Sequence, residues 1–328
     1  MAANQPEAPR GESAEARRHE SAGAHSPGRD PLPQRGVALA LSGGAARGMA
    51  HIGVLKALER AGTPPRLVAG TSYGAIIAAL YALCGSALEV ERVTRTQDVA
   101  EIWRQSLDFG LHRGALINGR RLTEWLDRKF FMGATFADTA LPLAVACTDL
   151  KSRSLVTISN GSVAEAVRAS CALPGIFAPV RQGGRTLIDG GFLEPIPFRA
   201  LAGAPGAVRL GVQAGGDVRR SKLVRSIRHF NVSRPGRALR RRADATTGDG
   251  ARSQLLRGVS ISLSSYSRGV RIPAGATLLR VDPAIAWWDF HRSPSAIAAG
   301  ERAAELLLTE GGLLAAATSP EPGVGSGA

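Results

Sequence analysis

The chain has 328 residues, of which 44% are apolar, and a formal net charge of +14. This length provides one large domain, or two small ones, with a full hydrophobic core. No run of about 18 apolar residues occurs, so we expect no transmembrane helix. The three cysteines lie far apart in apolar segments, which argues against both a disulfide framework and a metal site.

The two ends of the chain differ in composition from its middle. Residues 1–35 are rich in Ala, Glu, Arg, Pro and Gly and contain almost no large aliphatic side chains, which predicts a disordered tail. This segment has no apolar stretch of the kind found in a secretory signal, so the predicted location is the cytoplasm. Residues 313–328 predict a second flexible tail, and residues 36–312 predict the folded domain.

The first predicted elements alternate between strand and helix. A strand over Gly36–Leu41 leads into a loop of small residues, Ser42–Gly48, and then into a helix over Met49–Ala61. A short strand over Arg66–Ala69 is followed by a helix over Ala75–Leu83, which is apolar on all sides and is therefore predicted to be buried.

Between that strand and that helix, residues 70–74 read Gly-Thr-Ser-Tyr-Gly. A serine on a tight strand-to-helix turn has its hydroxyl pushed out into a cleft, so Ser72 is a candidate nucleophile. Gly70 and Gly74 flank it where a side chain would clash with the turn. The pentapeptide alone is a weak signal, and the alternative is a Ser/Gly turn in an ordinary βαβ unit.

The rest of the chain continues the alternation. The remaining predicted helices are 88–107, 120–131, Val163–Ser170 and Ser295–Leu308. The remaining predicted strands are Leu141–Cys147, Ser154–Ile158, Arg185–Ile188, Val208–Val212 and Thr277–Val281. This order predicts an α/β fold, a three-layer α/β/α sandwich with a mostly parallel central sheet. In such sheets ligands bind at the carboxyl ends of the strands. The Gly-Gly loop, the Ser72 turn and Asp189-Gly-Gly191 all follow strands, so we expect them to converge there.

The Gly-Gly loop suits the stabilisation of negative charge on an attacked carbonyl oxygen. Gly43 and Gly44 allow close approach to main-chain N–H donors. The loop is not a phosphate-binding P-loop, because no Gly-Lys-Ser/Thr follows, and it is not a dinucleotide fingerprint, because Ala45 occupies a glycine position of that motif. A generic strand-to-helix turn remains the alternative.

A serine nucleophile needs a base, and the sequence offers three candidates for it. His51 either lines the cleft or packs in the core. His291 would complete a Ser-His-Asp order, but it lies in a segment typical of a surface turn. Asp189 ends a strand, and its following glycines leave the carboxylate open to the cleft, so it is the preferred base. The alternative for Asp189 is an aspartate that only caps its own turn.

Several ordered motifs together resemble the patatin-like phospholipases, lipid acyl hydrolases that use a Ser-Asp dyad without histidine. The resemblance covers roughly Gly36 to Leu308. The motifs are Ser42–Gly48 with Ala50–Leu55, Gly70–Gly74, Ala169–Val180, Asp189–Gly191, and the late Phe290–Arg292 with Ala298–Arg302.

The resemblance implies a patatin-like catalytic domain over 36–312, with Ser72 as nucleophile and Asp189 as base. The implied oxyanion-hole residues are Gly43, Gly44, Ala45, Arg47 and Gly48, with Arg47 helping to hold the loop. The implied supports of the turns are Gly70, Gly74, Gly190 and Gly191. The family usually has a third glycine where this chain has Ala45, and alanine disfavours positive φ.

A basic segment over 217–257 supplies much of the positive charge, with twelve Lys and Arg residues against three Asp. Its first part has the pattern of an interfacial helix on anionic lipid, and the alternative is a cap helix with a solvated basic face. The predicted membrane-facing residues are Lys222, Arg225, Arg228, Arg240, Arg241 and Arg242. No zinc-finger spacing or aromatic RNA-binding signature accompanies them, so a nucleic-acid partner is not expected.

The sequence therefore predicts a serine lipid acyl hydrolase that acts on phospholipid or lysophospholipid without cofactor or metal, with peripheral contact to anionic membranes. Two alternatives stay open: an acyltransferase with the same dyad, and a catalytically weak lipid-binding or regulatory module.

Overall fold

Within the residues that the structure describes, eight strands form one central sheet. The computed structural model describes residues 36–95, 109–112, 115–174, 176–215, 270–286 and 288–310. The predicted tails 1–35 and 313–328 and the basic segment 217–257 lie outside the described residues.

The strands and helices have the following bounds. The strands are β1 Val37–Leu41, β2 Pro65–Thr71, β3 Phe109–His112, β4 Ala115–Ile117, β5 Leu143–Asp149, β6 Ser154–Ile158, β7 Val180–Gln182, β8 Arg185–Asp189, β9 Val208–Ala214 and β10 Ala276–Val281. The helices are α1 Ala50–Arg60, α2 Tyr73–Cys84, α3 Ala87–Arg95, α4 Arg120–Leu126, α5 Val163–Ser170 and α6 Ser293–Glu310. Strands β3 and β4 form a separate two-stranded sheet.

The sheet is parallel across β10, β9, β1, β2 and β5, whereas β6, β7 and β8 run antiparallel to their neighbours. The predicted mostly parallel sheet and α/β class are confirmed. Strand β8 lies between β5 and β7 and runs antiparallel to β5, so Asp189 approaches the end of β2 from the opposite direction.

The strand β1 shows how the sequence specifies two covered faces. Val37, Leu39 and Leu41 belong to the large core that also contains the apolar sides of α1, α2, α5 and α6. Ala38 and Ala40 point the other way, into a smaller core. Side chains alternate between the faces of a strand, and large residues fill the thick helical layer while alanines admit close packing on the other side.

The smaller core is closed by the chain that follows β8. Phe198 and Leu201, on the 3-10 helix Phe198–Gly203, pack on the alanines of the sheet. Phe198 occupies the space above Gly211 of β9, where a Cβ would overlap the ring. The sheet is thus covered on both faces, as an α/β/α order requires.

Strand β5 has three partners and only two edges, so two partners must share one edge. Strand β6 pairs with Val145 to Asp149, a range that overlaps both other partners. Strand β2 pairs only up to Ala146, and β8 pairs only from Cys147 onward. Strands β2 and β8 therefore approach each other end to end along the same edge of β5, and their last residues meet.

Candidate active site

Ser72 lies on a strained turn between β2 and α2. Its backbone has φ 54° and ψ −124°, a left-handed conformation that non-glycine residues rarely adopt. A Cβ on Gly70 would overlap the backbone of Ala75, and one on Gly74 would overlap the carbonyl oxygens of Leu41 and Ser42. The two glycines therefore allow the close packing of the turn, where a larger residue would clash.

Ser170, a fully buried residue, ties this turn to the sheet. Its hydroxyl accepts a hydrogen bond from the Ser72 N–H at 2.8 Å and donates one to the Ala146 carbonyl at 2.7 Å. Sequence reasoning missed this role. The available signal was the run Ala169-Ser170-Cys171, which the resemblance includes but to which no chemistry was attached.

The end-to-end meeting of β2 and β8 brings the two predicted catalytic residues together. Thr71, just before Ser72, pairs with Ala146, and Asp189 pairs with the next residue of β5, Cys147. The Ser72 side chain lies close enough to Asp189 to act as a hydrogen-bonding neighbour that lowers the pKa of the carboxyl. Two residues 117 positions apart thus come into contact because adjacent positions of one strand hold both ends.

Asp189 is almost fully buried, with 4% of its surface exposed. Burial raises its pKa to about 6, against the lowering effects of hydrogen bonds from the Gly191 N–H and from Ser72. The Gly191 N–H donates to the carboxylate at 2.8 Å and caps the short turn Gly190–Phe192. Asp189 therefore caps its own turn, and the same carboxylate faces Ser72.

Cys171 also lies beside this pair. Burial and the nearby Asp189 charge raise the pKa of its thiol to about 12, while a hydrogen bond with Ser72 acts in the opposite direction. The thiol is therefore neutral near pH 7. The sequence analysis predicts only a small buried hydrophobe at Cys171 and gives no sign of its interaction with Ser72.

The predicted oxyanion loop, Ser42–Gly48, lies directly against Ser72. A Cβ built on Gly43 would be 3.3 Å from the Ser72 Cβ and 4.0 Å from its hydroxyl oxygen. Gly44 has φ 157°, and Ala45 has φ 49°. Among the described residues, the main-chain N–H groups of Gly43, Gly44 and Ala45 have no protein acceptor. These donors are available to a ligand oxygen next to Ser72.

Two side chains of the loop itself hold it in place. The Ser42 hydroxyl donates to the Gly43 carbonyl at 2.8 Å and accepts from the Ala214 N–H at 2.9 Å. The Arg47 Nε donates to the Ile285 carbonyl at 2.9 Å and so ties the loop to the segment after β10. Gly48 is also required, because a Cβ there would be 2.7 Å from the ring of Tyr73.

His51 completes this support from inside the core. Its Nε2 donates to the Ser42 carbonyl at 2.8 Å, since a carbonyl can only accept. Desolvation lowers its pKa to about 4, so the ring is neutral. Of the two earlier alternatives for His51, packing in the core is the one observed. His291 lies exposed on the turn Phe290–Arg292, and among the described residues neither ring hydrogen-bonds to Ser72.

Some predicted features have no counterpart in the described part of the chain. The residues Lys222, Arg225, Arg228, Arg240, Arg241 and Arg242 all lie outside it. Within the described ranges, no three His, Cys, Asp or Glu side chains cluster closely enough to hold a metal ion. Of the helices in those ranges, none combines the length and the apolar character that a membrane crossing requires.

Comparison with known proteins identifies relatives. An uncharacterised NTE family protein of Mycobacterium tuberculosis is 32% identical over 55% of this chain and 49% of its own length. Patatin-like phospholipase domain-containing protein 6 of Homo sapiens is 36% identical over 49% of this chain and 12% of its own length. Lysophospholipase NTE1 of Coccidioides immitis is 32% identical over 55% of this chain and 12% of its own length.

The matched region therefore spans about half of the bacterial relative and a small part of the eukaryotic ones. The family model described as Patatin-like phospholipase matches residues 39–202, which is half of the chain and contains every residue of the site described above except Ala214 and Ile285. The chain belongs to the patatin-like phospholipase family.

Proposed function

We propose that the protein is a serine lipid acyl hydrolase in which Ser72 and Asp189 act as a catalytic dyad. The observation that carries the proposal is a buried carboxylate of raised pKa against a serine on a strained strand-to-helix turn. A base works best when its pKa lies near the working pH, and burial has moved Asp189 toward that range.

The reaction has two halves. In the first, the Ser72 oxygen attacks the ester carbonyl while Asp189 takes its proton, and the alcohol leaves with that proton as the acyl-serine forms. In the second, Asp189 takes a proton from water, the hydroxide attacks the acyl-serine, and the proton returns to the Ser72 oxygen as the fatty acid is released.

The loop Ser42–Gly48 would serve both halves. The proposed donors to the carbonyl oxygen, as it becomes negative, are the N–H groups of Gly43, Gly44 and Ala45, and each such donor typically contributes about 3 kcal/mol to the transition state. The N-terminus of α2, which begins at Tyr73, adds a positive dipole end at the same place.

The substrate class follows from the relatives. One of them is named a lysophospholipase and another a patatin-like phospholipase domain-containing protein. We infer that this chain acts on the acyl ester of a phospholipid or lysophospholipid, with no metal in the mechanism. Hydrolysis is therefore expected to continue undiminished in the presence of EDTA.

The proposal is tested by labelling and by substitution. A fluorophosphonate probe should modify Ser72, and mapping of the modified peptide identifies the residue. Ser72→Ala and Asp189→Asn should each lower the hydrolysis of short acyl esters and lysophospholipids at least a thousandfold. Ser86→Ala, which alters a serine at the start of α3, is the matched control. Hydrolysis by folded Ser72→Ala at the wild-type rate would refute the dyad.

We also propose, from the sequence alone, that the basic segment 217–257 contacts anionic membranes. The charge there would draw the protein to an anionic surface with about 1 kcal/mol per basic residue. Sedimentation with vesicles containing phosphatidylglycerol, compared with vesicles of phosphatidylcholine alone, measures this. Equal sedimentation with both vesicle types, or none with either, would contradict it.

A further inference from the structure

Ser42, the residue that joins β1 to the predicted oxyanion loop, is hydrogen-bonded at each of its polar atoms. Its main-chain N–H donates to the Val212 carbonyl at 3.0 Å. Its hydroxyl accepts from the Ala214 N–H at 2.9 Å and donates to the Gly43 carbonyl at 2.8 Å. Its carbonyl accepts from the His51 Nε2 at 2.8 Å. The Ser42 and His51 side chains are both buried, so bulk water does not compete for these bonds.

These hydrogen bonds set the direction of two successive peptide groups, and both peptides are trans. In a trans peptide the carbonyl and the N–H lie in one plane and point in opposite directions. The His51 ring holds the carbonyl between Ser42 and Gly43, so the Gly43 N–H points away from that ring. The Ser42 hydroxyl holds the next carbonyl, so the Gly44 N–H points away from that hydroxyl. Two buried side chains thus fix the direction of two N–H groups that have no acceptor among the described residues.

The same hydrogen bonds also affect how strongly the two N–H groups donate. A hydrogen bond to a carbonyl polarises its peptide group, and the N–H of that group then becomes a better donor. The His51 Nε2 acts in this way on the Gly43 N–H, and the Ser42 hydroxyl acts on the Gly44 N–H. The gain is greater for an ionised acceptor oxygen than for a neutral one. The arrangement therefore favours an anionic oxygen over a carbonyl oxygen.

The second ring nitrogen of His51 indicates that stability alone does not account for the imidazole. Nδ1 is buried and has no hydrogen-bond partner in the described part of the chain. Because Nε2 carries the proton that the Ser42 carbonyl accepts, Nδ1 of the neutral ring can only accept. An unsatisfied buried acceptor destabilises the folded protein, and an apolar residue of similar volume would avoid that cost. A role of the Nε2–H in the site explains a histidine at this position.

We propose that His51 and Ser42 are positioning residues of the reaction. They hold the N–H groups of Gly43 and Gly44 in the direction that binds the negative oxygen formed when an ester is attacked. A Cβ built on Gly43 would be 3.3 Å from the Ser72 Cβ, so the first of these peptides lies against the nucleophile. The inference rests on the proposed function, since only acyl transfer at Ser72 would form such an oxygen. Both side chains are buried and act through the peptide groups.

Substitutions at His51 in the full-length protein test this role in catalysis. His51→Leu removes the donor with little change in volume, whereas His51→Gln keeps an N–H donor. We expect kcat for a short acyl ester to fall at least tenfold in His51→Leu, with KM within twofold of wild type, because the donors act on the transition state. His51→Gln should restore kcat to within about threefold of wild type. Thr94→Val, which removes a buried hydroxyl that donates to the Val90 carbonyl on α3, is the matched control and should leave kcat unchanged.

A pair of ketone inhibitors separates the direction of the N–H groups from general damage to the site. A trifluoromethyl ketone with a short acyl chain adds reversibly to a serine hydroxyl and forms a negative oxygen, whereas the matching methyl ketone binds without addition. We expect the inhibition constant of the trifluoromethyl ketone to rise at least tenfold in His51→Leu and in Ser42→Ala. The constant of the methyl ketone should change less than twofold. A rise of both constants together would show a merely structural role and overturn the proposal.

Nuclear magnetic resonance measures the peptide itself without turnover. Labelling of serine carbonyls with carbon-13 and of glycine with nitrogen-15 selects two peptides, because Ser-Gly occurs in the sequence only at 42–43 and 326–327. The Ser42 carbonyl signal should move upfield in His51→Leu, which lacks the donor, and should not move in Thr94→Val. An unchanged signal in His51→Leu would show that the ring does not hold this peptide, and would overturn the proposal.

Failure of this inference and failure of the proposed function give different results. If wild-type protein hydrolyses esters but His51→Leu keeps both kcat and the affinity for the trifluoromethyl ketone, the positioning role is wrong and the dyad is unaffected. If wild-type protein hydrolyses no ester and binds the two ketones equally, the proposed function is wrong and the positioning role falls with it. If His51→Leu does not fold, the ketone pair on Ser42→Ala decides the proposal.

Discussion

At Asp189 burial and hydrogen bonding act on the carboxyl pKa in opposite directions, and burial prevails. The pKa of about 6 makes the carboxylate a stronger base than an ordinary aspartate. Only the ionised form can accept the Ser72 proton. We therefore expect kcat/KM for a neutral short ester to fall about tenfold per pH unit below pH 6 and to level off above it.

Two controls separate the effect of Asp189 ionisation on kcat/KM from uncatalysed hydrolysis and from unfolding. Hydrolysis of the same ester by hydroxide alone is subtracted at each pH, and protein incubated at pH 5 is returned to pH 7.5 to show that it has not unfolded. A profile that stays flat down to pH 4.5 would show an ordinary aspartate pKa. A half-maximal value near pH 7 that disappears in His291→Gln would point to a histidine base.

Ser170 is a positioning residue, because it acts through the Ser72 backbone. Ser170→Ala removes the acceptor of the Ser72 N–H and leaves that donor unsatisfied, which typically costs about 1–3 kcal/mol of stability. We expect kcat to fall at least tenfold with little change in KM. Ser162→Ala, which removes an equivalent acceptor at the start of α5, should lower stability but not kcat. An equal loss of kcat in both variants would show a general structural effect.

Ala45, in the predicted oxyanion loop, has a φ of 49°, a positive value that alanine disfavours. Ala45→Gly should relieve this strain, raise stability by about 1 kcal/mol and keep or raise kcat. Met132→Gly, at a similar positive φ but at the end of a helix away from the loop, should raise stability without changing kcat. Unfolding in urea and steady-state rates measure both. A lower kcat in Ala45→Gly would show that the methyl group has a role.

At the scale of residues, local patterns made Ser72 and Asp189 candidates, and the resemblance to a family supplied their predicted roles as a dyad, which stays a prediction. The sequence could not predict Ser170 and Cys171 as neighbours of Ser72, because their roles depend on contacts between segments about 100 positions apart. The positive φ at Ala45 was anticipated only in the sense that the family usually has glycine there.

At the scale of elements, the direction of β8 is the part that the sequence did not reveal. Periodicity indicates where a strand lies and which of its residues are buried, but not which way it runs against its neighbour. Ser72 and Asp189 approach each other because β8 is antiparallel to β5 and shares an edge of β5 with β2. A parallel β8 would carry Asp189 along β5 in the opposite sense, away from the end of β2.

The packing of α1 on α6 makes a separate prediction about elements. A Cβ on Gly300 would overlap the Ala50 carbonyl, and one on Gly53 would overlap the backbone of Ile297. Gly300→Ala and Gly53→Ala should therefore each destabilise the protein by about 3 kcal/mol or more, since helix backbones would have to separate. Gly203→Ala, whose Cβ would meet Leu67 at an ordinary 3.6 Å, is the control and should be nearly neutral.

Urea unfolding at pH 7.5 measures these three variants. The result also shows what the late motif Ala298–Arg302 does, because Gly300 belongs to that motif of the resemblance. If Gly300→Ala is as stable as wild type but inactive, the motif serves the site directly. If it is destabilised and the folded fraction is fully active, the motif serves the contact between the helices.

At the scale of the whole molecule, the candidate site lies at the edge of the central sheet and contains two buried titratable groups, His51 and Asp189. The neutral His51 ring donates to the Ser42 carbonyl of the predicted oxyanion loop, and Asp189 is the proposed base. The α/β class, the two faces and the element order were predictable, because they follow from apolar periodicity and strand alternation. The opposing pKa shifts of His51 and Asp189 could not be predicted in size, since they depend on complete burial in the folded protein.

These two groups affect stability in opposite senses as the pH changes. Asp189 has a folded pKa of about 6, above its ordinary value of 3.8, so the folded state holds the extra proton and stability falls as pH rises from about 4 to 6. His51 has a folded pKa of about 4, below its ordinary 6.5, so the unfolded state holds the extra proton and stability rises over the same range. Each effect is about 3 kcal/mol, so in the wild type they nearly cancel.

Single substitutions should therefore expose each slope against the wild-type curve. Asp189→Asn should match wild-type stability near pH 4 and exceed it by about 3 kcal/mol at pH 7, because the variant no longer has to ionise a buried carboxyl. His51→Gln keeps a donor for the Ser42 carbonyl, and its stability should decline by about 3 kcal/mol more than wild type does from pH 4 to pH 6.5. Urea unfolding at half-unit pH steps measures both curves. If Asp189→Asn is less stable than wild type at pH 7, the carboxylate is a structural anchor rather than a base held at a cost to the fold.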